Sequence, residues 1–383
     1  MPAANPFVYG EIVPKAAFVG RDAERERLVA DLGDCQKIFL ISPRRYGKSS
    51  LVRQALGVLG RQDVVTLEVT VSSFSSYVGF LEGYTRALAA LDTRAGRARS
   101  WLRDLFRGVK PELRMEAGAA GGGLTVAFPS VRTARDAARL AEEVFALPAR
   151  IADRLGCRLA IALDEFQAVA SYNGGSVEQA LRAAVQQQRR VGYVFSGSEP
   201  SLMEQMIGPR RPFYKAGPVV RLGKIPASVF AAFIEDRFRK TGLAPEAGLG
   251  EAVVDLAGNL PYDVQRLAHE TWDDVVARRR RTAGLEDLHA TLHRLLAEQE
   301  TMCEAVWQRL TLAQRAVLRA VVLERGDGIL GADLRARHRL GAASSVQTSL
   351  GALQREDLIA REDDGRYVVV DSLMREWVAR ETY

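Results

Sequence analysis

The chain has 383 residues, 47% hydrophobic and 26% charged, a composition that supports two or three domains with real cores and excludes a disordered polypeptide. The uncharged run Ala117 to Val131, which no other exceeds in length, holds four Gly and a Pro, which excludes a spanning helix there. The net charge of +6 is uneven: residues 1–223 carry 31 Lys and Arg against 22 Asp and Glu, residues 224–307 carry 10 against 14, and residues 308–383 carry 12 against 11.

Asn5-Pro-Phe-Val-Tyr-Gly10 reads as a turn-rich arm, followed by Phe18-Val-Gly-Arg21 and a helix over 22–32 that Asp22 is placed to cap. Ile38 to Ile41 is an apolar run expected as a buried strand. Gly47-Lys48-Ser49 then opens a helix whose apolar positions are Leu51, Val52, Ala55, Leu56 and Leu59. Strand, Gly-Lys-Ser and helix start, in that order, are the context a phosphate-binding P-loop requires. Backbone N–H groups at the helix start face phosphate, Lys48 reaches the β and γ oxygens, and the Ser49 hydroxyl ligates Mg²⁺. Ser42 stands where the general pattern has its first Gly. Pro43 after it favours an extended residue, so Ser42 ends the strand without glycine torsions. Arg44 and Arg45 add positive charge near phosphate, face solvent, or meet the carboxylates Asp164 and Glu165; the sequence leaves these open.

Val64 to Val71 is β-branched and reads as a strand buried on both faces. A helix is expected over 75–91. From 93 to 115 come Arg94, Arg97, Arg99, Arg103, Arg107, Lys110 and Arg114, interleaved with Trp101 and Phe106. This is either a surface for nucleic acid or an acidic partner, or a solvated face of an Arg-rich protein. Leu113 to Ala117 and Leu124 to Phe128 flank a Gly-rich turn and read as a hairpin insertion. A helix over 134–155 contains Pro148, expected to kink or divide it.

Leu159-Ala-Ile-Ala-Leu-Asp-Glu-Phe-Gln167 is a short apolar strand ending in two carboxylates, the Walker B pattern. Asp164 would hold Mg²⁺ through water, and Glu165 would be the base that polarises the attacking water. After a helix over 178–190, Gly192 to Ser198 is another buried strand. Ser196 and Ser198 at its tip are candidates for orienting water beside the γ-phosphate, or for capping the helix that follows. Arg210 and Arg211 are a surface pair or an arginine finger for a neighbouring subunit. Val219 to Leu222 closes the sheet.

From Lys224 the pattern turns helical: 229–241, 249–257, 262–277 and 285–310, with Pro261 at a helix start. The basic run Arg278 to Arg281 complements a helix dipole. The last unit reads as a winged helix, with helices over 313–324, 331–337 and 343–355 and a wing from Leu358 to Val370. Its third helix would expose Ser344, Gln347, Thr348, Gln354 and Arg355. Near-neutral charge favours a protein-facing role over DNA. Cys35, Cys157 and Cys303 are scattered without metal spacing, as for thiols in a reducing cytoplasm, and no secretory leader pattern opens the chain.

Taken together, Phe18-Val-Gly-Arg, Ser-Pro-Arg-Arg-Tyr-Gly-Lys-Ser, Leu-Asp-Glu-Phe-Gln, Phe-Ser-Gly-Ser and Gly-Asn-Leu-Pro-Tyr resemble the archaeal-type ATPases. These are AAA-related P-loop proteins of the STAND class with a C-terminal winged helix. The resemblance covers essentially the whole chain. It implies an α/β core with a parallel sheet and helices on both faces (1–223), a helical lid (224–307) and a winged-helix domain (308–383). Together these clasp ATP or ADP. It implies that Gly20 and Arg21 contact the nucleotide, and that Ser42, Pro43, Arg44, Arg45, Tyr46, Gly47, Lys48, Ser49 and Ser50 cradle its phosphates. Pro261 would approach the base. Ser49 and Asp164 would serve Mg²⁺, while Lys48, Glu165 and Ser196 serve hydrolysis. Origin-recognition initiators place a sensing arginine in the lid; here Pro261 stands there, with Arg266 as a substitute.

The expected function is thus a cytoplasmic, Mg²⁺-dependent, ATP-hydrolysing switch of low turnover, with a second copy or another protein as partner and no membrane. The alternatives are an ATP-dependent DNA-binding protein related to origin-recognition initiators, with nucleic acid the less favoured partner, and a nucleotide-binding scaffold with negligible turnover.

Overall fold

The computed structural model describes residues 4–91, 104–106, 108, 111–116, 123–172, 176–362 and 364–381, with backbone alone at 115, 116, 123 and 124. Arg94, Arg97, Arg99, Trp101, Arg103, Arg107 and Lys110 of the basic stretch lie outside the described residues. The chain divides into two compact units: residues 21–44 with 48–223, and residues 1–20 with 45–47 and 224–383.

The first unit is an open α/β sheet. Its elements are α1 (Asp22–Gly33), β1 (Lys37–Ile41), α2 (Lys48–Gly60), β2 (Val64–Thr70), α3 (Tyr77–Ala89), the hairpin β3 (Glu112–Glu116) and β4 (Gly123–Ala127), and α4 (Ala134–Leu155). These are followed by β5 (Arg158–Asp164), α5 (Ser176–Gln187), β6 (Val191–Gly197), α6 (Pro200–Ile207) and β7 (Val219–Arg221). Five parallel strands stand in the order β2-β5-β6-β1-β7. Period-2 alternation divides the two faces by size. Phe39, Ile41, Leu159, Ile161, Leu163, Tyr193 and Phe195 join α3, α4 and α5 in one apolar cluster. Ala160, Ala162 and Gly192 fall on the opposite face. There α1 lies so close that a Cβ on Gly192 would meet the Leu32 carbonyl at 2.6 Å.

Four local expectations are corrected. Asp22 does not cap α1; it is the first helical residue and pairs with Arg25 at 2.7 Å, while Arg21 occupies the cap position without a capping bond. Pro148 does not divide its helix, because α4 runs unbroken through it with Val144, Leu147 and Ile151 buried on both sides. β2 is an edge strand, so most of its residues are half-buried rather than covered on both faces. Neither Ser196 nor Ser198 caps α6, whose cap position is Glu199. The hairpin insertion forms as expected, in antiparallel register from Glu112 opposite Ala127 to Glu116 opposite Gly123.

The second unit is mostly helical: α7 (Ala227–Lys240), α8 (Leu249–Leu256), α9 (Pro261–Ala277), α10 (Leu285–Arg309), α11 (Leu312–Leu323), α12 (Ala332–Arg337) and α13 (Ala343–Arg355). Short β8 (Ala244–Pro245) pairs with β9 (Thr282–Ala283), and the wing is β10 (Ile359–Arg361) antiparallel to β11 (Tyr367–Val369). A final helix, α14 (Ser372–Arg380), goes beyond the sequence reading; Asp371 caps it by accepting from the Leu373 and Met374 amides. One apolar cluster runs from Phe7 and Phe230 through Trp272 and Trp307 to Trp377 and Val378.

The N-terminal arm is part of this core. Phe7 is buried against Phe238, with ring centroids 5.3 Å apart, and the Asn5 amide donates to the His269 carbonyl at 3.1 Å. The basic run after α9 does more than complement a dipole. Arg280 meets the buried Asp287 carboxylate at 2.6 Å, and the other oxygen of Asp287 accepts from the Gly284 amide at the start of α10. No helix among the described residues is long and apolar enough to cross a membrane.

Candidate functional site

Parallel register brings the carboxyl ends of β1, β5 and β6 level, the edge where open α/β sheets bind ligands. Leu40 stands opposite Ser196 and Leu163 opposite Phe195, so Asp164 comes beside Ser196. Alternation puts Asp164 and Ser196 on the small-residue face, toward α2. The Ser196 hydroxyl donates to Asp164 Oδ1 at 2.7 Å. From the first turn of α2, Ser49 Oγ donates to Asp164 Oδ2 at 3.0 Å, and Lys48 Nζ bonds both Asp164 Oδ1 and, at 3.2 Å, Glu165 Oε1. The first N–H groups of α2 have no partner within their own helix, so a cation, a hydroxyl and amide donors converge here.

Glu165 is held in an unusual way. Its backbone is left-handed, with φ 52°, a conformation that costs a non-glycine residue free energy and persists only where neighbours impose it. The neighbour is Phe166, wholly buried, with its ring 4.7 Å from Phe195 and 5.3 Å from Phe213. Beyond the anchor, Gln167 folds back, its Nε2 donating to Glu165 Oε2 at 2.6 Å, and Ser198 Oγ donates to the same oxygen at 2.6 Å.

Burial alone pushes Asp164 up. The Lys48 cation and the hydrogen bonds from Lys48, Ser196 and Ser49 outweigh it, and the carboxyl titrates below its ordinary range. Glu165 follows the same logic: burial raises it, while Lys48 and the donors Ser198 and Gln167 bring it below the usual value. Both carboxylates are therefore charged at neutral pH.

The remaining expected nucleotide residues divide between the units. Within the α/β unit, Arg21, expected on the nucleotide, is bonded within its own unit. Its buried guanidinium reaches Glu24 Oε1 at 3.0 Å and also donates to the Gly223 carbonyl. Ser42 and Ser50 are buried at the two ends of the loop, with Pro43 and Arg44 following Ser42. Arg211 is engaged inside its own chain, on the fully buried Glu178 at 2.9 Å.

In the helical unit, Gly20 has φ +67° and a Cβ there would meet Ile225 Cγ2 at 2.6 Å, so both torsion and space call for glycine. Gly47 has φ +84° and open space around it, so torsion alone accounts for that residue. Arg45 takes a destination the sequence did not offer: its guanidinium reaches Asp371 Oδ2 at 3.0 Å and Asp263 Oδ1 at 3.4 Å, over the Tyr262 ring. Tyr46 donates to Glu362 at 3.1 Å. Pro261 is the first residue of α9, after Asn259, whose amide donates to the Ile225 carbonyl at 2.8 Å. Arg266, the expected substitute sensor, meets the Gln299 side chain at 2.8 Å once that amide is turned to accept.

Sequence reasoning missed Gln167 and the pair Asp263–Asp371. Gln167 had a signal, a polar residue set between Phe166 and Ala168 in an otherwise apolar turn. Asp371 had one also, an Asp just ahead of Ser-Leu-Met, the pattern of a helix cap.

A parallel sheet with flanking helices, a phosphate loop at its carboxyl edge and a C-terminal winged helix together define the P-loop ATPase fold class. The family profile described as "Probable winged helix domain" matches residues 301–380. Among solved structures, the chain is similar to the Walker-type ATPase of Pyrococcus abyssi, with 15% identity over 96% of this chain and 99% of that one and a TM-score of 0.61. It is similar also to the ORC2 protein of Aeropyrum pernix solved in ADPNP–ADP complexes, with 12% identity, 99% and 98% covered and a TM-score of 0.58. The ORC1 protein of Aeropyrum pernix, solved in complex with DNA, gives 15% identity, 97% and 95% covered and a TM-score of 0.52. No curated protein matches the sequence. At these identities the shared property is the fold.

Proposed function

We propose that the chain binds ATP with Mg²⁺ and hydrolyses it. The observation that carries this reading is the set Lys48, Ser49, Asp164 and Glu165, drawn within hydrogen-bond reach at the start of α2. The donor set fits the ligands. Amide donors and an ammonium suit phosphate oxygens, and a hydroxyl beside a carboxylate suits a hard divalent cation. Ser49 and Asp164 would hold Mg²⁺, which neutralises charge on the phosphates.

Glu165 accepts a proton from water as the water oxygen attacks the γ-phosphorus. The bond from that phosphorus to the bridging oxygen breaks and its electron pair stays on ADP. Lys48, bonded to Asp164 and Glu165, turns to the phosphate oxygens and stabilises the charge that develops there. Ser42, Pro43, Arg44, Lys48, Ser49 and Ser50 of the α/β unit cradle the phosphates. The finer reading is a STAND-type switch with a core (1–223), a lid (224–307) and a winged helix (308–383), governed by whether ATP or ADP is held. The motif order in the sequence supports it.

Equilibrium dialysis with labelled ATP tests the binding step: the wild-type chain retains ATP in the presence of Mg²⁺, and Lys48→Ala does not. A wild-type chain that retains none contradicts the reading.

A second reading, ATP-dependent DNA binding, draws on α13, where Ser344, Gln347, Thr348 and Arg355 are exposed, and on the ORC1 neighbour solved with DNA. A steep fall of DNA affinity with salt would favour it, because phosphate contacts release counterions. No binding at low salt removes it.

A further inference from the structure

We propose that Gln167, acting with Ser198, is a positioning residue for hydrolysis: it ties down Glu165 Oε2, so that Oε1 is the oxygen that takes the proton from the attacking water. This rests on the hydrolytic reading above and deepens it.

The two oxygens of Glu165 live in different surroundings. Oε2 accepts from Gln167 Nε2 and from Ser198 Oγ, both at 2.6 Å, while Oε1 meets Lys48 Nζ at 3.2 Å. When Lys48 turns to phosphate, Oε1 loses its donor and Oε2 keeps both of its own. A carboxylate pinned through one oxygen presents the other in one place. A base must stand within hydrogen-bond reach of the proton it removes.

The Gln167 amide has one tenable orientation. Its Nε2 faces Glu165 Oε2, Ser198 Oγ at 3.5 Å and Glu199 Oε1 at 3.4 Å, all acceptors. Turning the amide would set its carbonyl oxygen against two carboxylates. The same orientation leaves Gln167 Oε1 buried, with no partner among the described residues. An unmet buried acceptor is unfavourable, and a leucine would fill this space without that defect. Packing therefore argues against glutamine here, and the NH₂ group accounts for it.

Gly197 makes the same point from the other side. It needs no special torsion, but a Cβ there would meet Gln167 Oε1 at 2.6 Å and Met203 Cγ at 2.4 Å. The strand tip thus leaves room for the amide. Phe166 fixes the backbone on one side of Glu165, and Gln167 with Ser198 fixes the carboxylate.

The test uses the full chain with Gln167→Leu, and Gly197→Ala as a second variant that pushes the amide from outside. Each is measured for phosphate release, ATP affinity and Tm. Gln167→Leu is expected to lower kcat about tenfold to a hundredfold, the scale of a misplaced reacting group. ATP affinity stays within about twofold, the interaction being absent from ground-state binding. Its Tm changes little, because losing the unmet acceptor offsets losing one donor to Glu165, which keeps Ser198. In a Glu165→Gln background the same change adds no further loss of turnover.

A wild-type kcat in Gln167→Leu overturns the proposal, as does a drop in Tm that accompanies equal losses of turnover and affinity. An undiminished loss in the Glu165→Gln background overturns it also. If Glu165→Gln is inactive and Gln167→Leu is not, this proposal fails alone. If the wild-type chain binds ATP and releases no phosphate, the hydrolytic reading fails with it.

Discussion

Asp164 and Asp263 share a description: each is a buried aspartate with a second carboxylate and a basic residue of the phosphate loop beside it. Asp164 has Glu165 and Lys48; Asp263 has Asp371 and Arg45. Their acidities part in opposite directions. Asp164 is drawn below its ordinary value, whereas burial and the charge of Asp371 push Asp263 up to about 6. The donors decide. Three side chains, Lys48, Ser49 and Ser196, bond the Asp164 carboxylate. Asp263 receives the Ser372 backbone N–H at 2.9 Å, a hydrogen bond from the Ser372 side chain, and an arginine at 3.4 Å whose side chain is 35% exposed. Burial penalises a charge in both places, and only a full set of donors reverses the sign. One acid is thus fixed as an anion, and the other sits within reach of a physiological proton.

Removing Lys48 should break the first half of that comparison with the largest effect. Lys48→Ala leaves Asp164 and Glu165 facing each other without their cation, and stranding a buried charge costs about 3 kcal/mol or more. Denaturant unfolding of the nucleotide-free α/β unit should show that loss, and phosphate release should vanish.

Asp263→Asn sharpens the second half. A carboxyl with a raised folded pKa contributes stability that is full below its unfolded value of 3.8 and is lost as pH rises through about 6. Moving from pH 7.5 to 5 should stabilise the wild-type helical unit relative to Asp263→Asn by roughly 1–2 kcal/mol. Thermal unfolding of both proteins across that range checks it; parallel curves would contradict the assignment.

Arg45→Ala is the mildest of the three. At its exposure the ion pair contributes about 1 kcal/mol or less. Arg45 lowers the Asp263 pKa, so removing it should move that pH transition upward while leaving neutral-pH stability nearly unchanged.

Much of the α/β unit was legible because its signals are local. Ile38 to Ile41, Gly47-Lys48-Ser49 and Leu159 to Glu165 each announce their conformation within a few residues, and period-2 alternation puts Asp164 on the face that Ser196 shares. What escaped depends on distance along the chain. Arg45 pairs with Asp371, 326 residues away, and Asn5 with His269, 264 residues away, and no periodicity encodes such partners. Arg21 shows the converse: a residue expected on the nucleotide is bonded to Glu24, three positions on. Gln167 fell between the two cases. It lies two residues from Glu165, yet it returns to that carboxylate through a left-handed backbone and a buried Phe166 that no periodicity announces.

The most direct test of the account is phosphate release by Glu165→Gln beside wild type, at saturating ATP and Mg²⁺. The account predicts that the variant binds ATP with wild-type affinity and turns it over at least about a hundredfold more slowly, as expected for a lost general base. Hydrolysis by Glu165→Gln at the wild-type rate would contradict it.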